Sequence, residues 1–163
     1  MKLNLTHELP ASAEEVWNLV FTDEFMNALD ERTGVQRELL SDDVRDGKRH
    51  ITIQISHSEP LPNLAAKAMG SKTLVYLQDQ IIDNAQKTVH WRVRLPSLGS
   101  KVQASGTYAL EDRAEQCVRV VRGDVQVRVP FVGGKIERQI INKLSGSYDN
   151  SAVFICRWLS EQT

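Results

Sequence analysis

Four groups of side chains in this sequence could do chemistry: four histidines, two cysteines, a series of arginines, and two serines four residues apart. The histidines do not suggest a metal site. His50 and His57 fall on one predicted strand at an odd spacing, which puts them on opposite faces. His7 and His90 are read as lying opposite the apolar faces of their strands. Only His57 shares a face with Ile53 and Ile55, and its ordinary reading is a surface or structural histidine. A general acid–base role needs a carboxylate or hydroxyl partner that the sequence does not identify. Cys117 and Cys156 are too few for a disulfide framework and lack zinc-ligand spacing, so reduced thiols at one end of the domain are expected. Neither a metal nor a cofactor is expected.

Arg92, Arg94, Arg119, Arg122 and Arg128 recur along the later strands. They are read as a wet face, with Glu111, Asp112 and Asp124 as cross-strand partners. Twenty basic against 21 acidic side chains leave a net charge of −1, with no aromatic residues interleaved for base stacking. That balance argues against a nucleic-acid or anionic-lipid partner. Gly133-Gly134-Lys135 could present free N–H groups to an anion. It lacks the G-K-[ST] ending of a phosphate loop and reads more simply as a turn after Pro130.

The serine pair, Ser147 and Ser151, is more informative. At about 100° per residue, Ile136, Ile140, Leu144, Ser147, Ser151, Phe154 and Trp158 share one helical stripe. Small side chains in mid-stripe leave volume where a packed core wants leucine. One reading is a ligand cavity with two hydroxyls to orient a polar group. The other is close helix–sheet approach, each hydroxyl bonding its own i−4 carbonyl. Trp91, Tyr76 and Tyr108 are placed on the sheet side of such a cavity. For Tyr76 this depends on whether Leu74 and Tyr76, or Val75 and Leu77, face inward. Trp17, Phe25, Met26 and Leu29, with Leu64 and Met69, form either a lid or ordinary core.

The elements that must position these residues follow from the spacing. Leu3, Leu5 and Leu9 mark a strand ended by Pro10, and Ser12-Ala13-Glu14-Glu15 has the form of a capping box. Two short helices follow, the second starting at Thr22-Asp23 and closed by Gly34. The period then changes to two: a strand over 35–44, a hairpin at Asp46-Gly47, and alternation through Ile51, Ile53 and Ile55. Pro60-Leu61-Pro62 breaks the pattern, and Asn63 to Met69 reads as a short helix before Gly70. Strands are predicted over 72–83, 87–95, 100–111 and 116–129. A helix of about 26 residues, roughly 39 Å long, runs from Gly133 to about Leu159. With 163 residues and no internal repeat or linker, residues 1–163 are expected to form one domain. No apolar run marks a signal peptide at the N-terminus or a membrane span elsewhere, so a cytoplasmic location is expected.

This order resembles the helix-grip fold of the START-like (SRPBCC) superfamily, which includes the major birch pollen allergen and the polyketide cyclases. Leu9-Pro10-Ala11-Ser12-Ala13-Glu14-Glu15-Val16-Trp17 resembles the superfamily's opening, and Asp23-Glu24-Phe25 stands where its second helix begins. The segment Val129-Pro130-Phe131-Val132-Gly133-Gly134-Lys135-Ile136-Glu137 is similar to the join into the long helix in a bacterial branch of unknown function. The resemblance implies an α+β protein, with a curved antiparallel seven-stranded sheet around a C-terminal helix and two short helices after strand 1. It also implies a cavity between sheet and helix for a small hydrophobic or amphipathic molecule such as a lipid. The expected lining is Trp17, Phe25, Leu29, Ile53, Ile55, Leu64, Met69, Tyr76, Trp91, Tyr108, Ile140, Leu144, Ser147 and Ser151. No set of acids and bases matches the enzymatic branches, so binding, for transport or sensing, is expected before catalysis. A cyclase, dehydratase or hydrolase using the same cavity, and a regulatory module with a protein partner, are the alternatives.

Overall fold

The computed structural model describes residues 1–162. The chain opens on β1 (Lys2–Leu9) and turns into α1 (Ala13–Val20) and α2 (Asp23–Thr33). Each helix starts where a side-chain oxygen meets an orphan backbone donor. Ser12 Oγ accepts from the Glu15 N–H at 3.2 Å, and Thr22 Oγ1 accepts from the Phe25 N–H at 3.3 Å. Gly34 ends α2 in the left-handed conformation, at φ 69°. The strands β2 (Val35–Arg45) and β3 (Lys48–Pro60) form the expected hairpin. Asp46 and Gly47 both have positive φ, as this two-residue turn requires. Then come α3 (Asn63–Met69), β4 (Thr73–Asp83), β5 (Thr88–Arg94), β6 (Val102–Arg113) and β7 (Gln116–Val127). Ser100 and Lys101, expected to begin a strand, belong instead to a single 3-10 turn, Gly99–Lys101, before β6. The last element is α4 (Gly133–Glu161).

The sheet order is β1-β7-β6-β5-β4-β3-β2, with every neighbouring pair antiparallel. The first strand closes on the last, from Lys2 opposite Asp124 to Leu9 opposite Cys117. Register shifts at Leu39/Ser41 and Ser56/Pro60 bend the far edge, because an extra residue on one strand increases the local twist. The result is the helix-grip architecture: a curved seven-stranded antiparallel sheet around a long C-terminal helix. No described helix is long and apolar enough to cross a membrane.

The 29 residues of α4 would extend about 43 Å. The helix starts against the end of β7, where a Cβ on Gly133 would lie 2.3 Å from the Val127 carbonyl oxygen. Farther along, Ser151 meets Arg119 near the start of β7, so helix and strand run in opposite directions. That direction carries Cys117 and Cys156, both free thiols, toward one end. The inward faces of the sheet supply Ile51, Ile53, Ile55, Val89, Val93, Val121 and Val125, and α4 supplies Ile136, Ile140 and Ile155, all buried. Each such side chain contributes about 1.5–3 kcal/mol relative to exposure.

Two polar residues depart from the faces expected for them. His7 is in phase with Leu3 and Leu9 on β1, so it points toward α4 rather than to water. Arg119 is in phase with Val121 and Val125 and is only 2% exposed. Of the exposed arginines, Arg92 and Arg94 are held by Asp79 from β4, not by Glu111, Asp112 or Asp124. Asp112 instead accepts from the Ala13 N–H at the start of α1, and Asp124 pairs with the N-terminal amine and Lys2.

Candidate ligand-binding cavity

The long helix leans on β7 and β1, whereas α2 packs on β2 and reaches α4 from the other side. Between them lies a cavity of about 370 Å³, within the size range of small-molecule sites. Its sheet wall is Ile51, Ile53 and Ile55 of β3, Tyr76 of β4, Val89 and Trp91 of β5, and Tyr108 of β6. Phe25, Met26 and Leu29 of α2 form a second wall, and Leu144, Ser147, Tyr148, Ser151 and Ile155 of α4 a third. The cavity reaches the surface at Asp23, Asn27 and Leu39, all exposed. A second, more polar cavity of about 310 Å³ lies between the end of α2, β3 and α4, and shares Val35, His57 and Ser147 with the first.

Ten of the fourteen expected lining residues surround this space: Phe25, Leu29, Ile53, Ile55, Tyr76, Trp91, Tyr108, Leu144, Ser147 and Ser151. The other four lie elsewhere. Trp17 is buried against Phe21 and Tyr108, and its indole N–H donates to Asn84 Oδ1 at 2.9 Å. Ile140 and Met69 are filled core, and Leu64 faces solvent at 51% exposure. Of the residues expected to form either a lid or ordinary core, Phe25, Met26 and Leu29 of α2 border the space, whereas α3 turns Met69 into the core and Leu64 outward. Tyr76 faces inward together with Leu74.

The two serines differ in their surroundings. Ser147 is a half-buried wall residue. Ser151 Oγ donates to the Tyr148 carbonyl, at i−3 rather than i−4, and also accepts from Arg119 Nη1 at 2.8 Å.

Arg119 is the central residue that a reading by residue type misplaces. Its Nη2 donates to the Tyr148 carbonyl oxygen at 2.6 Å and lies 3.3 Å from His7 Nδ1. Because a guanidinium only donates, His7 Nδ1 accepts, and the ring's other nitrogen donates to Asp149 Oδ1 at 2.7 Å. The guanidinium also sits over the rings of Tyr108 and Tyr148, at 5.8 and 5.3 Å. The signal for it was present in the phase shared with Val121 and Val125.

His57, also in the wall, places Nε2 3.4 Å from the Tyr76 hydroxyl. Burial lowers its pKa to about 4, helped by the nearby charges of Lys143 and Arg37. Burial raises the Tyr76 phenol to about 12. It also raises Tyr108 and Tyr148, against the opposing pull of Arg119. At neutral pH the pair is thus an uncharged imidazole beside a protonated phenol. The two arginines near the mouth are paired: Arg37 Nε donates to Asp30 at 2.7 Å, and Arg49 donates to both oxygens of Asp42.

Solved structures share this architecture at low sequence identity. The ZhuI aromatase/cyclase from Streptomyces sp. R1128 is 11% identical, with a TM-score of 0.68 over 99% of this chain and 94% of that one. A norcoclaurine synthase point mutant from Thalictrum flavum is 17% identical, with a TM-score of 0.65 over 99% and 95%. Ara h 8.0201 is 13% identical, with a TM-score of 0.61 over 95% and 97%. These likenesses establish a common fold. No curated protein matches the chain. The family model described as "Protein of unknown function (DUF2505)" matches residues 4–159, and the chain belongs to that family.

Proposed function

We propose that this chain, as a single START-like domain of residues 1–163 in the cytoplasm, binds a small hydrophobic or amphipathic molecule for transport or sensing. The observation that carries this reading is the cavity of about 370 Å³, walled by aliphatic and aromatic side chains and open at α2. A core meant only for stability fills such a space, since lost contacts are costly. Native mass spectrometry of the purified protein tests the proposal, with a reproducible adduct of lipid or similar mass expected. Ser147→Leu fills the cavity from the helix side, and is expected to remove the adduct while leaving the melting temperature nearly unchanged. A protein that is always empty and takes up no apolar probe overturns the reading.

The His57–Tyr76 pair supports a second reading, an enzyme of the cyclase, dehydratase or hydrolase type. A neutral imidazole can accept a proton while a neighbouring phenol donates one. On this reading, the co-purified molecule changes mass on incubation with wild-type protein but not with His57→Gln.

A further inference from the structure

Among the described residues, two buried side-chain polar atoms lack any hydrogen-bond partner, Trp91 Nε1 and Arg119 Nε. Both are donors, and both residues line the same cavity. Buried polar groups in folded proteins are almost always paired, so an orphan calls for an explanation. A buried arginine moreover almost always has an anionic partner. Among the described residues, no carboxylate is hydrogen-bonded or ion-paired to Arg119. Its partners are the Ser151 hydroxyl, the Tyr148 carbonyl, the accepting Nδ1 of His7 and two phenol faces, none of them an anion. The nearest acid in that chain of contacts, Asp149, is 63% exposed and spent on the far side of His7. The other cavity arginines, Arg37 and Arg49, already hold Asp30 and Asp42.

Resting on the ligand-binding reading above, we infer that the cavity selects an amphipathic monoanion, an apolar body with one carboxylate directed toward Arg119. A single uncompensated guanidinium matches one negative charge, and its unfilled Nε–H can donate to one carboxylate oxygen. The two unfilled donors ask for acceptor oxygens rather than for a donor or a cation. Ser147 and Tyr108, beside this cluster in the wall, add hydroxyls at the polar end, while Ile51, Ile53 and Phe25 receive the apolar part.

Decanoate and decan-1-ol share a chain and differ in the head group, so they separate the two ideas. Each is titrated against wild-type protein carrying the uncharged dye Nile red. Decanoate is expected to displace the dye at concentrations about tenfold or more below those of the alcohol. Arg119→Met is expected to remove that preference, and Arg119→Lys to keep part of it. A direct readout needs no variant: the Arg119 Nε–H resonance moves on adding decanoate and stays in place with decan-1-ol. Equal displacement by acid and alcohol, or an unmoved Nε–H resonance in the decanoate complex, overturns the anion inference and leaves the cavity reading standing. Failure of dye and both probes to enter overturns both.

Discussion

Gly106 of β6 and Gly123 of β7 stand opposite each other in register, and the indole of Trp91 lies across the inner face of both. A Cβ on Gly123 would come within 2.5 Å of two indole carbons, and one on Gly106 within 2.4 Å of the same ring and 2.0 Å of the Arg122 carbonyl oxygen. The glycine pair is therefore the bed in which a cavity wall residue rests. It also explains how a ring as large as tryptophan's fits under a curved sheet and still borders open space.

Gly123→Ala should push the indole toward the cavity. Overpacking of this kind costs about 1–3 kcal/mol. A lower melting temperature and weaker uptake of Nile red are expected together, and unchanged values of both would mean that the ring has another place to go. Gly106→Ala should be the worse of the two, because its nearest obstacle is backbone.

On the outer face, Asp79 collects Arg92, Arg94 and Thr52. Burial alone would raise its pKa, but hydrogen bonds from Arg94, Thr52 and Arg92 and the Arg94 charge outweigh that, bringing it down to about 2. A depressed carboxylate stabilises the fold above its unfolded pKa, and that contribution fades as pH falls from about 4 toward 2. Asp79→Asn is expected to cost on the order of 1–2 kcal/mol at pH 7, after allowance for partial exposure. Urea midpoints of the two proteins should converge near pH 2, and a constant gap from pH 7 to pH 2 would contradict the assignment.

The fold is legible because its boundaries are local. Asp46-Gly47, Gly34 and the Ser12 and Thr22 caps act within a few residues of themselves, and the alternation of Ile51, Ile53 and Ile55 fixes which face of the sheet is buried. The site is less legible because its polar members are defined by distant partners. Arg119 meets Ser151 across 32 positions and His7 across 112. Residue type assigns arginine and histidine to water, although both stand in the apolar phase of their strands. Leu64 fails differently. The short helix α3 has too few turns for periodicity to fix its inward face, and the structure buries Ala65 and Met69 instead.

That orientation of α3 predicts a dissociation between stability and binding. Met69 is 5% exposed and does not line the cavity, so Met69→Ala should cost about 2–5 kcal/mol while leaving the affinity of the folded protein for Nile red nearly unaltered. Leu64→Ser, at an exposed position, should change stability by less than about 0.5 kcal/mol and binding not at all. Loss of dye binding in Leu64→Ser would mean that α3 borders the ligand after all.

His57 provides the contrasting pH response inside the cavity. Its pKa of about 4, depressed chiefly by burial and then by Lys143 and Arg37, with Glu59 opposing, lies below the 6.5 of a free imidazole. Between those values the unfolded chain binds a proton that the folded chain refuses, so stability rises with pH there. The loss is complete once pH has fallen below about 4. In size it should be on the order of 2 kcal/mol. Carboxylates such as Asp79 titrate lower in the same scan, which makes the difference between wild type and His57→Gln the quantity to measure. That difference in melting temperature should swing in favour of the variant as pH is lowered from 6.5 to 4, and then level off. A difference that stays flat across this interval would mean that the imidazole is as easily protonated in the folded protein as in water. The water-excluding wall between β3 and β4 would then have to be abandoned.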